Sequence, residues 1–234
     1  MEGTPIEDLK RKAAASALEH VESGMVLGLG TGSTIAHFLS LLGERILSGD
    51  LNDIVGVPTS IRTGREARQA GIELIGLADR DRIDLTVDGA DEVTPQLDLI
   101  KGMGGALLRE KMVAQASDRL IIIADAGKAV DRLGTLSPLP VEVVDWGPAT
   151  HIKFLESKGA SVAMRMMADG PPLRSDNGNL LLDCRFPDGI ADADALEAQL
   201  RERSGVVESG LFLGMADTAI LASADGIQVL HRGT

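Results

Sequence analysis

Two aspartates, a lysine and a glutamate follow one another at close spacing near the middle of this chain. Asp88-Gly89-Ala90-Asp91 ends the apolar run Ile83–Val87, and Lys101 opens a glycine-rich segment, Lys101-Gly102-Met103-Gly104-Gly105. That segment leads into a helical stretch carrying Glu110. These residue types suit a reaction in which a base moves a proton beside a carbonyl while a cation holds the resulting oxyanion. Carboxylates three residues apart do not ionise independently, so one can hold a proton while the other stays charged. An apolar flank of Leu107, Leu108 and Met112 would make Glu110 a better base by excluding water. Plainer roles compete with these: the aspartates as turn former and helix cap, and Arg109-Glu110-Lys111 as a solvated helix face.

A second glycine-rich segment, Gly28-Leu29-Gly30-Thr31-Gly32-Ser33-Thr34, follows an apolar run and opens a helical pattern. Its backbone N–H groups at a helix's positive end would receive an anion. The glycine spacing is not that of a dinucleotide fingerprint, and the next strand, Ile54–Val57, runs into Pro58-Thr59-Ser60 rather than an acidic residue. A small phosphate is therefore the better fit, with simple helix capping by Ser33 or Thr34 as the alternative. Metal chelation is the weaker use of the aspartates, because His20, His37, His151 and His231 are scattered singly. Asp125-Ala126-Gly127-Lys128 offers a further cation after another strand.

Composition bounds the partners. A net charge of −12 repels nucleic acid and anionic membranes, and with no tyrosine, four phenylalanines and one tryptophan the chain has few stacking platforms. An anionic substrate would need a local patch built from the seven lysines and from backbone N–H groups. Cys184 is the only cysteine, which rules out an intrachain disulfide. The opening residues lack the pattern of a signal peptide and no apolar run reaches membrane-spanning length, so a cytoplasmic protein is expected.

The elements that must position these residues alternate in the first part of the chain. Helical patterns at Ile6–Val21, Thr34–Leu42, Ser60–Gln69 and Gly105–Ala116 are interleaved with strands at Met25–Leu29, Ile54–Val57, Leu74–Gly76, Ile83–Val87 and Leu120–Ala124. That alternation predicts an α/β fold, a Rossmann-like, mostly parallel sheet with its site outside the strands' carboxyl ends. After Pro138 the order becomes β-α-β-β-α-β: Val141–Val144, Ala149–Ser157, Ser161–Met167, Leu180–Arg185, Asp192–Arg201 and Val206–Leu211. This order predicts an inserted, smaller ferredoxin-like α+β domain, with Ser175–Asn179 as a turn between its central strands. A terminal hairpin, Ala216–Ala222 and Ile227–His231, would rejoin the larger domain. The division expected is 1–133 plus 212–234 for the catalytic domain and 134–211 for the small one.

Taken together, seven stretches resemble the A-type ribose-5-phosphate isomerase family in wording, order and spacing. They are Gly28–Thr34 (GLGTGST), Leu85–Glu92 (LTVDGADE), Ile100–Lys111 (IKGMGGALLREK), Ile123–Lys128 (IADAGK), Pro138–Glu142 (PLPVE), Asp176–Asn179 (DNGN) and Gly205–Leu213 (GVVESGLFL). The resemblance implies interconversion of D-ribose 5-phosphate and D-ribulose 5-phosphate through an enediolate, without metal or cofactor, in the non-oxidative branch of the pentose phosphate pathway. It further implies Glu110 as the base, Asp88 and Asp91 handling hydroxyl protons, and Lys101 neutralising developing negative charge. Thr31, Gly32, Ser33, Thr34, Gly89, Ala90, Gly102, Met103 and Gly104 would line the substrate, with Lys10 and Lys128 as additional cations. A homo-oligomer, most simply a dimer, is implied as well. One departure stands out: the family loop commonly carries glycine where this chain has Met103, and a positive φ there would cost on the order of 1 kcal/mol or more. Rival readings of the same residues are a sugar-phosphate sensor without turnover, a transferase with a glutamate nucleophile, and a Schiff-base aldolase using Lys101.

Overall fold

The computed structural model describes residues 5–168 and 170–233. The first four residues, which enter the reading of the N-terminus, lie outside the described ones. The chain folds as two compact units: one takes the chain up to Ala90, Arg109–Lys128 and the chain from Gly214 on, and the other takes Asp91–Leu108 and Ala129–Leu213.

The first unit is built as the alternation predicts. Helix α1 (Ile6–Leu18) buries Ala13, Ala14, Ala17 and Leu18 on one face. Strand β1 (Val26–Leu29) is followed by α2 (Ser33–Ser48), β2 (Val55–Pro58), α3 (Ile61–Gln69), β3 (Glu73–Leu74) and β4 (Leu85–Asp88). Helix α2 runs past its expected end at Leu42: Gly43 is a close-packing position, where a Cβ would lie 2.3 Å from Ala70 O, and the last turn closes only at Gly49, φ +81°. After the insertion of β5 (Glu92–Val93) and β6 (Leu99–Ile100), the unit resumes with α4 (Leu107–Gln115) and β7 (Leu120–Asp125).

β8 (Leu139–Val143), α5 (Pro148–Glu156), β9 (Ser161–Met164), β10 (Leu180–Arg185), α6 (Ala193–Arg201), β11 (Val206–Ser209) and β12 (Leu211–Phe212) belong to the second unit. The first is completed by the hairpin β13 (Thr218–Ser223) and β14 (Gly226–His231). Its seven-stranded sheet has the order β14-β13-β7-β4-β1-β2-β3, parallel except for β14. Read from β3 to β13 this is the doubly wound order, and it reverses between β1 and β4. Leu27, Leu29, Phe38, Leu39, Leu42, Leu85, Val87, Ile121, Ile123 and Ile220 are among the residues that fill the core beside this sheet. Each such side chain contributes roughly 1.5–3 kcal/mol by burial.

In the second unit, the order β11-β8-β10-β9, antiparallel throughout, is that of a ferredoxin-like sheet. Asp192 caps α6, accepting a hydrogen bond from the Ala195 N–H at 2.9 Å. The Ser175–Asn179 turn is tied to the buried Glu142 on β8, whose Oε1 accepts from Ser175 Oγ at 2.7 Å and Asn179 Nδ2 at 2.8 Å. The strand expected over Val206–Leu211 is two elements, since β12 leaves the four-stranded sheet and pairs with β6 in a small sheet β12-β6-β5. That pairing draws residues 91–108, which the sequence-based division groups with the larger domain, into the second unit. Two-residue strands such as β5 and β6 carry no alternation for a sequence to reveal.

Candidate active site

Within the first unit, Asp88 and the loop through Thr31 meet where the strand order reverses. Asp88 is the last residue of β4 and only 1% exposed. Its Oδ1 accepts hydrogen bonds from the Thr31 N–H at 3.0 Å and the Gly89 N–H at 2.7 Å. The backbone of Gly30 makes this approach possible: a Cβ there would lie 2.1 Å from Asp88 Oδ1. Helix α2 then starts from Gly32, φ +134°, which supplies no side-chain cap. Capping by Ser33 or Thr34 is thus not the role of this segment, and its first N–H groups keep the polarity that attracts an anion.

Thr31 is tied into the protein at both of its donors. Its N–H is engaged by Asp88, and its Oγ1 turns into a cluster with Thr59 at 2.8 Å, Ser60 at 2.9 Å and Thr63 at 3.1 Å. One proton per hydroxyl gives a consistent chain. Thr31 donates to Ser60 Oγ, Ser60 donates to Thr63 Oγ1 at 2.9 Å, and Thr63 donates to Gly30 O at 2.8 Å. Thr59 separately donates to Leu29 O at 3.0 Å. Thr31 therefore brackets the Asp88 carboxylate to the start of α3. Thr59 and Thr63 were not singled out in the sequence, although polar residues directly after an apolar strand were the available signal.

Glu110 lies on α4 and is 2% exposed, and Lys111 beside it is 1% exposed. The solvated-face reading of Arg109-Glu110-Lys111 is corrected accordingly. Met112 is not part of an apolar flank for Glu110, because it is 46% exposed. Two residues on a helix are about 200° apart, so Met112 faces away from Glu110. Lys128 is half-buried just after β7, the neighbour of β4 in the sheet. Lys10 forms an ion pair with Glu7 at 2.6 Å, and His37 Nε2 lies 2.9 Å from the other Glu7 oxygen. The Lys10 hydrogen bond first, and His37 second, hold the Glu7 carboxyl below its ordinary value.

Within the second unit, Lys101 follows β6 and is 3% exposed. Its N–H donates to Gly210 O at 2.9 Å, and Nζ sits 5.4 Å from the centroid of the Phe212 ring. Asp91 Oδ2 accepts from the Met103 N–H at 3.0 Å, which closes the glycine loop onto the second aspartate. The strain expected at Met103 is not incurred. The positive φ angles fall on Gly102 (+107°) and Gly105 (+79°), and among the described residues only Asp53 and Leu97 adopt positive φ without being glycine. Glu92, next to Asp91, is fully buried and accepts from the N–H groups of Gly134, Leu136 and Ser137, each at 2.6 Å. It anchors the segment after Asp91 to the loop before β8. Among the described residues no group of three or more His, Cys, Asp or Glu is arranged to hold a metal ion.

Comparison with known proteins gives a consistent family. The sequence profile of "Ribose 5-phosphate isomerase A (phosphoriboisomerase A)" matches residues 55–226. The chain is 52% identical over 228 residues to the ribose-5-phosphate isomerase A of Chloroflexus aurantiacus, covering 97% of this chain and 95% of the relative. A solved D-ribose-5-phosphate isomerase in complex with phospho-erythronic acid superposes with a TM-score of 0.95 at 40% identity, covering 98% of this chain and 100% of that one. The ribose 5-phosphate isomerase of Plasmodium falciparum superposes with a TM-score of 0.94 at 37% identity, over 97% of this chain and 100% of the other.

Proposed function

This chain belongs to the ribose 5-phosphate isomerase A family, and from that membership we propose which of its side chains interconvert D-ribose 5-phosphate and D-ribulose 5-phosphate. The observation that carries the assignment is the Asp88 carboxylate. It is buried, held by two backbone N–H groups, and set at the end of β4 beside the loop from β1, where doubly wound sheets bind their ligands. Asp88 and Asp91 move hydroxyl protons, including the one transferred when the furanose ring opens. Glu110 takes the proton from C2 of the open aldose and returns it to C1. Between those two steps O1 and O2 share the negative charge of the enediolate, and Lys101 stabilises it. The N–H groups that open α2 receive the phosphate, with Lys128 and Lys10 as further cations.

The magnitudes are those the chemistry requires. A sugar aldehyde is a weak carbon acid, and each preorganised charge or donor aimed at the developing oxyanion supplies ~3 kcal/mol. A positioned carboxylate base contributes a factor on the order of 10² to 10⁴. None of these steps calls for a metal or an organic cofactor.

The decisive experiment is direct. Purified protein is mixed with ribose 5-phosphate in deuterated buffer containing EDTA, and ketose formation and isotope content are followed. The expected result is ribulose 5-phosphate, formed despite the chelator, with solvent deuterium entering C1. Strict dependence on an added divalent metal, or irreversible inactivation by borohydride plus substrate, would overturn the assignment. Family membership is also the ground for expecting a homodimer acting in the cytoplasm, and light scattering on the purified protein checks the first. No helix among the described residues is long and apolar enough to cross a membrane.

A further inference from the structure

Arg165, one residue past β9, has a guanidinium with two working edges and both are engaged. Nε donates to Asp183 Oδ2 on β10 at 2.9 Å, and Nη2 pairs with the other oxygen of the same carboxylate. That side-on fork leaves Nη1 directed elsewhere. It donates to two consecutive backbone carbonyls, Gly102 O and Met103 O, each at 3.0 Å. Nη2 also lies 3.7 Å from Met103 Sδ, a contact that a glycine at position 103 would not provide.

The Gly102 carbonyl and the Met103 N–H belong to one peptide unit, and a planar trans peptide points them in opposite directions. On one side the carbonyl accepts from Arg165, and on the other the N–H donates to Asp91 Oδ2 at 3.0 Å. A cation on the carbonyl polarises the amide and strengthens its N–H as a donor. Gly102, at φ +107°, brings no side chain to restrain this peptide, and besides Arg165 its carbonyl is held by the Gly105 N–H at 3.0 Å.

We infer that Arg165, backed by Asp183, is a positioning residue for the isomerisation. It locks the Gly102–Met103 peptide, and through it fixes the Asp91 carboxylate and the loop that follows Lys101. The inference rests on the roles proposed above for Asp91 and Lys101. Lysine would not substitute, because a single ammonium cannot hold a carboxylate fork and two carbonyls at once.

The test uses the full chain with Arg165→Met, Arg165→Lys and Asp183→Asn, read by ketose formation, thermal unfolding and binding of phospho-erythronic acid. Arg165→Met is expected to lower kcat roughly 10- to 100-fold, the cost of misplacing a reacting group by about 1 Å. Its KM and its affinity for the acid should change by less than about threefold, since the lost interaction does not touch substrate. Arg165→Lys should recover only part of that loss, and guanidinium ion added to Arg165→Ala should restore part of kcat. Should Arg165→Met fail to fold, Asp183→Asn keeps the test open, with a smaller fall in kcat at unchanged KM expected. Wild-type kcat in Arg165→Met or, in its absence, in Asp183→Asn would overturn the inference. So would a raised KM at unchanged kcat, which would make Arg165 a substrate ligand. An inactive wild type would overturn both this inference and the reading beneath it, whereas an active wild type with an equally active variant overturns the clamp alone.

Discussion

Glu110 and Lys111 are adjacent on α4 and both are buried, although in the sequence they read equally well as part of a charged, solvated face. Burying a carboxylate is costly unless it is paired or hydrogen-bonded, and the role proposed for this one is proton transfer. Replacing Glu110 with Gln keeps the shape and removes the base. Turnover should fall by a factor on the order of 10² to 10⁴ while phospho-erythronic acid still binds, which calorimetry checks. Retained turnover would instead favour a residue elsewhere as the base. The hydroxyl cluster gives a second prediction at this scale. Thr63→Val leaves the Gly30 carbonyl without its donor and should destabilise the fold by about 1–3 kcal/mol in urea unfolding. KM should rise as well, because Thr31 loses a neighbour that holds it against Asp88.

At the scale of elements, the functional segments are strand ends and the turns that follow them. β1 and β4 are parallel neighbours, with Leu29 paired to Val87, so the residues just beyond them meet. The approach is close enough that Gly30 tolerates no side chain. Gly30→Ala should displace the Asp88 carboxylate, given the 2.1 Å separation its Cβ would have. Activity should drop at least as much as when a well-placed catalytic interaction is lost, roughly 10²-fold, while circular dichroism stays close to wild type. An active Gly30→Ala with an unmoved carboxylate would mean that the contact has no consequence. These strand ends were legible because β1, β4 and β7 are apolar runs bounded by glycine and aspartate. β5, β6 and β12 were not, since each is two residues long and is defined only by its partners.

At the scale of the whole molecule, pH acts through a group far in sequence from the proposed chemistry. His151 on α5 is 4% exposed, and its Nδ1 accepts from Arg203 Nε at 3.2 Å. Burial first, and the Arg203 charge second, push its pKa below the ordinary 6.5. The unfolded chain therefore binds a proton at higher pH than the folded one, and folding stability falls as pH drops from near 6.5 toward the lower folded value. Thermal unfolding at pH 7.5 and 5.5 should show the lower midpoint at 5.5, and a smaller difference in His151→Gln. An unchanged difference would assign the pH response to other groups. Two units inserted into one another also explain why the domain division was hard to read. The second unit leaves the first after β4 and again after β7, and its two pieces are joined by contacts distant in sequence, the pairing of β6 with β12 and the Glu92 hydrogen bonds among them.

What the sequence alone determined was local chemistry and periodicity. Apolar alternation specified the doubly wound sheet and the ferredoxin-like order, while the runs around Asp88, Lys101 and Glu110 carried the resemblance from which the family was read, because short motifs keep their residues in a fixed order and spacing. What only the tertiary structure decided was which groups hold those motifs in place. Arg165 reaches the Met103 carbonyl across 62 positions, Thr63 reaches Thr31 across 32, and Glu92 reaches Ser137 across 45. Contacts of that range depend on strand pairing and packing, which leave no mark in residue spacing.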